Sequence, residues 1–277
     1  MPFRFRSVLR FRNTIGKVNA VVSFTELAIR LLQKQYVSET DGEQFLRRIS
    51  TELDVFVTHV PLELLGTRTS QLHTVSMVQH FESFLTELKR EHPTHATWPA
   101  KSEEEPLLNY VLRNVTGQDS GWDADTEIEL DLLNYYRLAR NRFLHASDDK
   151  PTKAKDLKKR SKAHPTLAKL NAPNIYTELS FDDCVACARC ALLIAMKMCE
   201  YGRPSDEQIA EMLFQLEKGG QLNLKGLRKV LDAEERRRKK AQKLLSSTYG
   251  MTASDSEGVV DYIMERLLAQ RAEHPPS

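Results

Sequence analysis

The stretch that decides the fold class is residues 126–145, which read TEIELDLLNYYRLARNRFLH. Its apolar residues recur at the three- and four-residue spacing of an amphipathic helix, and acidic residues stand in its first turn. The pattern predicts one long helix that begins at Asp125 or Thr126 and ends at His145. Its apolar positions are Ile128, Leu130, Leu132, Leu133, Tyr135, Tyr136, Leu138 and Phe143.

The rest of the chain favours helices as well. Its 277 residues include only 11 glycines and 11 prolines, and residues of high helix propensity are plentiful. We therefore predict an all-α fold. Helical periodicity predicts the further helices over residues 16–36, 42–60, 70–91, 103–114, 180–201, 205–217, 224–233, 234–246 and 254–269.

Three consecutive segments are predicted. Residues 1–66 form an N-terminal arm followed by a helical hairpin, residues 67–202 form a helical bundle, and residues 203–277 form a helical, basic C-terminal extension. Residues 1–12 alternate apolar and basic side chains, which favours a short strand or arm. They contain no apolar core of the kind found in secretory signals.

The balance of charges excludes few classes of protein. Lys and Arg exceed Asp and Glu by 40 − 38 = 2, so the net charge does not itself predict a nucleic-acid partner. No apolar run approaches the roughly 20 residues of a membrane span, which predicts that no membrane is involved. All four cysteines fall within residues 184–199, which favours a reducing, cytoplasmic setting over a disulfide framework.

Three of these cysteines have the spacing of an iron–sulfur ligand run, at Cys184, Cys187 and Cys190. The residues between them are compatible with a helix, and no Gly or Pro bends the chain around a cluster. We therefore predict buried cysteines that pack in a helix, with no metal and no other cofactor. The histidines His59, His73, His80, His92, His95 and His164 show neither ligand spacing nor a nucleophile partner.

Arg140 and His145 are the candidate catalytic residues. Arginine is a permanent cation that binds phosphate, and histidine titrates near neutral pH and can transfer protons. On an ideal helix the two positions lie about 140° apart, so one copy of the chain does not readily form a complete site. Asn141 lies four residues before His145 on the same face and can orient the imidazole. The alternative is that both residues only complement the dipole at a helix C-terminus.

Residues 138–148, Leu-Ala-Arg-Asn-Arg-Phe-Leu-His-Ala-Ser-Asp, resemble the motif of the HEPN family. In this family an Arg is followed, after four to six residues, by a His, and a polar residue commonly stands directly after the Arg. The flanking pattern is also similar, with a helix over residues 70–91 before the motif and an apolar helix over residues 178–201 after it. The resemblance covers residues 67–202.

The resemblance implies a HEPN-like helical bundle that forms a homodimer with a composite active site. It further implies a metal-independent endoribonuclease of a toxin–antitoxin or antiphage defence system, with RNA (tRNA included) as substrate and an antitoxin or defence complex as partner. His145 would act as general base or acid and Arg140 would stabilise the charge on phosphorus, giving 2′,3′-cyclic phosphate ends. The alternative is a noncatalytic interaction or nucleic-acid-binding module with the same fold.

Basic residues downstream of the motif are candidates for RNA binding, since a polyanion is attracted to clustered cations. Residues 150–162 hold seven Lys or Arg and one acid, within a predicted loop over residues 148–177. A solvated loop is an equally good interpretation, and a second basic cluster spans residues 236–240. The RNA-binding candidates are Arg142, Lys153, Lys155, Lys158, Lys159 and Arg160.

Overall fold

A computed structural model describes residues 3–57, 61–117, 121–145, 154–224, 227 and 234–273. These residues form ten α-helices and three short 3₁₀ turns, and no strand occurs among them, so the all-α prediction is confirmed. The helices are α1 (Arg6–Ser38), α2 (Gly42–Glu52), α3 (Leu62–Glu91), α4 (Leu107–Thr116), α5 (Ala124–His145), α6 (Ala154–Ser161), α7 (Phe181–Tyr201), α8 (Asp206–Lys218), α9 (Glu234–Tyr249) and α10 (Glu257–Glu273).

The first helix begins earlier than the sequence pattern indicates. The prediction of a strand or arm over residues 1–12 is wrong from Arg6 onward, because α1 already starts there. The carboxylate of Glu91 accepts hydrogen bonds from the backbone N–H groups of Arg6 (2.7 Å) and Ser7 (2.8 Å). A distant acid thus satisfies the free donors at the helix start and complements the positive end of its dipole.

The predicted N-terminal hairpin differs in its second half. Asp41 caps α2 by accepting from two backbone N–H groups, but the helix ends at Glu52 rather than near residue 60. The apolar stripe of α1 does not form a continuous core either. Val22 is buried, whereas the side chains of Leu27 and Leu31 are 63% and 55% exposed.

Other helix boundaries follow the local signals closely. Ser205 and Gln208 form the predicted capping box at the start of α8, which is confirmed in both directions of hydrogen bonding. Pro106 precedes α4 rather than entering it, and Gly117 ends that helix with a φ of +69°. Most of the helix predicted over residues 224–233 lies outside the described residues.

The chain divides into two compact units. Unit 1 comprises Met1–Arg10, Phe84–Ser120 and Ala195–Ser277, and unit 2 comprises Phe11–Ser83 and Gly121–Ile194. No helix in the described ranges has both the length and the apolar character that a membrane span requires.

Unit 1 has an aromatic core in which Phe3 and Phe5, near the N-terminus, contact residues from later in the chain. The rings of Phe3 and Tyr249 lie 5.3 Å apart, and the ring of His92 lies 5.6 Å from Phe5 and 5.4 Å from Trp98. Burial lowers the pKa of His92 to about 4, so this imidazole is neutral at physiological pH.

Unit 2 contains the predicted motif and is built around α5 and α7. The rings of Tyr135 and Tyr136 on α5 pack edge to face at 5.5 Å, and both side chains are almost fully buried. Helix α7 buries seven of its eleven residues from Cys184 to Ile194, with Arg189 exposed, which agrees with the central position that its apolar sequence predicts.

Candidate active site at the end of α5

The predicted motif lies in the last two turns of α5. The described part of this helix runs to His145, and the residues that follow, 146–153, lie outside the described residues. The side chain of His145 is outside the described residues, and Asn141 is half-buried beside Arg140. The structure therefore shows the contacts of the Arg140 side chain, and for His145 it shows the backbone position in the last turn of α5.

Asp123 fixes the start of α5. Its carboxylate accepts hydrogen bonds from the backbone N–H and the hydroxyl of Thr126, both at 2.9 Å. The predicted cap at Asp125 or Thr126 is therefore wrong by a few residues, because Asp123 is the acid that reaches the free backbone donor. Helix α5 therefore begins at Ala124, before the predicted start.

Arg140 forms an ion pair with Glu82 of α3. The terminal nitrogen Nη2 of Arg140 donates to Oε1 of Glu82, and the two side chains are only 14% and 27% exposed. A pair in this setting is screened less by solvent than a surface pair. Glu82 therefore holds the guanidinium in place and compensates part of its charge.

The sequence of α3 indicates that Glu82 has a cationic partner, although the motif at residues 138–148 does not include this residue. Glu82 lies seven residues after Val75, four after Val78 and three before Leu85, so it occupies the apolar face of α3. An acid on such a face usually has a buried cationic partner, since a buried charge without one is costly. The pattern indicates a partner but does not identify it as Arg140.

The Nε of Arg140 is buried and has no hydrogen-bond partner among the residues that the structure describes. A guanidinium has five N–H donors in a planar fork. The ion pair with Glu82 uses Nη2, and the Nε–H on the same edge of the fork is left without an acceptor in the described part of the chain. Phosphate oxygens are acceptors that match the geometry of this fork.

Arg142 has a different environment from Arg140. Its guanidinium carbon lies 4.3 Å from the ring centre of Tyr176, a cation–π contact. Tyr176 is itself positioned through its backbone carbonyl, which accepts a hydrogen bond from Gln71 of α3 at 2.9 Å. The contact holds Arg142 without neutralising it, which is compatible with its predicted role in RNA binding.

The basic segment after the motif is partly helical. The prediction of a loop over residues 148–177 is wrong for residues 154–161, which form α6. Asp156 stands in its first turn and three cations stand in its last turn, which suits the helix dipole. Only Leu157 and Ser161 of this helix are buried, so the stretch has too few apolar residues to show helical periodicity.

The candidate RNA-binding residues in this segment fall into two groups. Lys158 donates to Asn174 Oδ1 at 2.8 Å, and Arg160 pairs with Asp131 of α5 at 2.5 Å. Both thus have partners within the protein. Lys155 and Lys159 are exposed, and Lys153 lies outside the described residues.

Asp183 lies in the first turn of α7 and connects this turn to α5 and to the segment before α7. This buried carboxylate accepts hydrogen bonds from Tyr136, Asn174 and Ser180. Burial raises the pKa of Asp183, and the bonds from Ser180 and Asn174 oppose that shift. Ser180 and Asp183 have the Ser-x-x-Asp spacing of a capping box before an apolar run, so the sequence carries a signal for this cluster.

His164 also has a partner that the sequence does not reveal. Thr166 donates its backbone N–H to Nδ1 of His164 at 3.2 Å, so the ring proton is on Nε2. Nε2 lies 3.0 Å from Oε1 of Glu129 and donates to it, with both side chains almost completely buried. This pair ties the segment after α6 to α5.

The four cysteines are buried, as predicted, and none of them is in a disulfide. The Sγ of Cys184 lies 3.4 Å from the carbonyl oxygen of Ser70 and 3.7 Å from the hydroxyl of Thr74. Burial raises the pKa of Cys184 to about 11, so its thiol is protonated. Within the described ranges no group of His, Cys, Asp and Glu is arranged to hold a metal ion.

Comparison of the chain with protein-family models, curated proteins and solved structures gives no match. The assignment of function therefore depends on the residues themselves and on the chemistry available at the end of α5.

Proposed function

We propose that this protein is a metal-independent endoribonuclease of the HEPN type whose active site contains Arg140 and His145. The observation that supports this most is the state of Arg140. Glu82 fixes one terminal nitrogen of the guanidinium, and the buried Nε has no acceptor in the described part of the chain. A buried donor without a partner costs about 1–3 kcal/mol, and a bound phosphate would supply the missing acceptor.

The proposed reaction is a transesterification within RNA. The 2′-hydroxyl loses its proton to one histidine and attacks the adjacent phosphorus, while the bond from phosphorus to the 5′-oxygen breaks and that oxygen gains a proton. Arg140 stabilises the negative charge that develops on the phosphoryl oxygens. The products are a 2′,3′-cyclic phosphate and a 5′-hydroxyl, and the reaction consumes no water.

Two copies of the chain would form the site. Arg140 and His145 lie about 140° apart around an ideal helix, so their side chains do not readily converge on one phosphate. A two-fold axis near the end of α5 would bring Arg140 of one subunit beside His145 of the other. Asn141, on the same face as His145, would orient the imidazole. The resemblance to defence nucleases further suggests an antitoxin or defence-complex partner.

A noncatalytic RNA-binding or interaction module is the second candidate. The specific observation in its favour is the Arg140–Glu82 pair, because the carboxylate compensates charge that a phosphate would otherwise meet. In this case Arg140 would only join α3 to α5. The two candidates differ in whether RNA is cut.

The experiment that separates them is incubation of the purified protein with RNA, tRNA included, in the presence of EDTA. We expect cleavage by the wild type and loss of about 100-fold or more in rate for His145→Ala and Arg140→Ala. Mass spectrometry of the fragments should show 2′,3′-cyclic phosphate ends. A wild type that leaves every RNA intact would exclude the nuclease.

The matched control is Arg137→Ala, which removes an arginine one turn earlier on α5. Within the part of the chain that the structure describes, Arg137 donates only to Asn134, at 2.8 and 3.2 Å. This variant should cleave RNA at nearly the wild-type rate. A loss as large as that of Arg140→Ala would mean that the assay reports on the charge or folding of α5 rather than on the active site.

A further inference from the structure

Unit 1 contains a cavity that the proposed cleavage site does not use. Its volume is about 300 Å³, at the lower end of the range for small-molecule sites. Three leucines form its apolar part. Its polar lining consists of Arg6, Arg10, Gln221, Ser247 and Thr248, with two cations and no acid.

Two contacts hold the cations of this cavity. Nη1 of Arg6 donates to Oε1 of Gln221 at 2.8 Å, a neutral partner that leaves its charge uncompensated there. Arg10 pairs with Glu87 at 2.8 Å, and this pair is about half-exposed. The cavity wall therefore carries the charge of Arg6 beside two hydroxyl groups, whereas Glu87 compensates that of Arg10.

A row of cations on α9 leads to the same cavity. Arg236, Lys240 and Lys243 are exposed, and with Ser247 they fall within an arc of about 60° on an ideal helix. We call these four residues the α9 stripe. Ser247 lies at its C-terminal end and also lines the cavity.

Three acids of the described residues on or near α9 pair with cations outside the stripe. Glu234 and Asp261 pair with Arg238, and Glu235 pairs with Lys239, which lies beside the α9 stripe. None of the ion pairs found among the described residues involves the three cations of the stripe. The stripe is thus a row of positive charges and does not alternate cations with acids.

We propose that the α9 stripe and its cavity bind a segment of single-stranded RNA. The cations contact successive phosphates, and the cavity accepts one nucleotide, whose base meets leucines and a guanidinium while its polar edges meet Gln221 and the two hydroxyls. This composition suits a nucleotide better than an acidic peptide, which offers carboxylates but no planar apolar surface. The inference is independent of the proposed cleavage chemistry.

The test measures binding of a fluorescent, unstructured RNA oligonucleotide by anisotropy, in a His145→Ala background so that no cleavage can occur. We expect Arg236→Glu/Lys240→Glu/Lys243→Glu to weaken binding by about tenfold or more at about 0.1 M salt, where the Debye length is about 10 Å. Each phosphate contact contributes about 0.7 to the salt dependence for single strands, so the slope should fall by about 2.

The matched control reverses three exposed cations of α1 in the same background, as Arg12→Glu/Lys17→Glu/Lys34→Glu. It changes the net charge equally and should bind RNA within about twofold of its parent, since long-range electrostatics alone are screened. Equal loss in both triple variants, or no binding by the parent protein, would overturn the proposal.

A second variant tests the cavity separately from the charges. Ser247→Phe places an aromatic ring at the cavity wall and removes no charge, so we expect weaker binding with an unchanged salt slope. Unlabelled RNA should displace the probe, whereas polyglutamate at the same charge concentration should not. Unchanged affinity of Ser247→Phe, or equal displacement by polyglutamate, would contradict a nucleotide site. Circular dichroism checks that each variant is folded.

Discussion

The guanidinium of Arg140 is bound through one terminal nitrogen to Glu82, and its side chain is only 14% exposed. The contact with Glu82 gives Arg140 two roles. The ion pair joins α5 to α3, and it also fixes the plane of the fork that the proposed chemistry aims at phosphate. The helical spacing of Glu82 shows that it needs a cation, but only the packing of α3 against α5 identifies which one.

Glu82→Gln tests the structural role of this pair. The substitution leaves a largely buried guanidinium without its anionic partner, so we expect the free energy of unfolding to fall by about 1–3 kcal/mol. Urea denaturation followed by circular dichroism measures the change.

The control for that prediction is Glu87→Gln on the same helix. Glu87 pairs with Arg10, but the two side chains are 49% and 54% exposed. We expect a loss within about 0.5–1 kcal/mol, because solvent screens an exposed pair. If the two variants were equally stable, the Arg140–Glu82 contact would contribute no more than a surface pair.

At the scale of elements, local signals predicted the helices whose caps and apolar stripes are close in sequence. α5, α7 and α8 follow their patterns, and Ser205 caps α8 as expected. The early start of α1 depends on Glu91, which lies 85 residues from Arg6. α6 depends on charges and one buried leucine. Neither cause leaves a periodic pattern in the sequence.

The cap of α5 provides a prediction at this scale. Asp123→Ala removes the acceptor for the backbone N–H and hydroxyl of Thr126, and we expect it to cost about 0.5–2 kcal/mol of unfolding free energy. Asp125→Ala is the comparison, since this exposed acid in the first turn contributes only through the helix dipole, about 0.3–1 kcal/mol. Urea titration of both variants measures the difference, and a larger loss for Asp125→Ala would assign the cap to the wrong acid.

At the scale of the whole molecule, the candidate active site and the α9 stripe belong to different compact units of the chain. Unit 2 holds Arg140 and the backbone position of His145, and unit 1 holds the cavity beside α9. The sequence could predict the motif and the basic run of α9, since each is local. It could not predict the cavity, because residues from α1, from α8 and the segment after it, and from α9 meet there.

In the proposed mechanism two chains complete one site, so that Arg140 of one subunit acts with His145 of the other. Arg140→Ala and His145→Ala are each expected to form inactive homodimers. A heterodimer of the two retains one arginine and one histidine, and these come from different chains.

The most direct measurement is RNA cleavage in EDTA by an equal mixture of the two variants after they have been unfolded and refolded together. The proposal predicts that the mixture recovers a measurable part of the wild-type activity, although neither variant cleaves alone. An inactive mixture, shown by light scattering to contain dimers under conditions where the wild type cleaves RNA, would contradict a site shared between subunits.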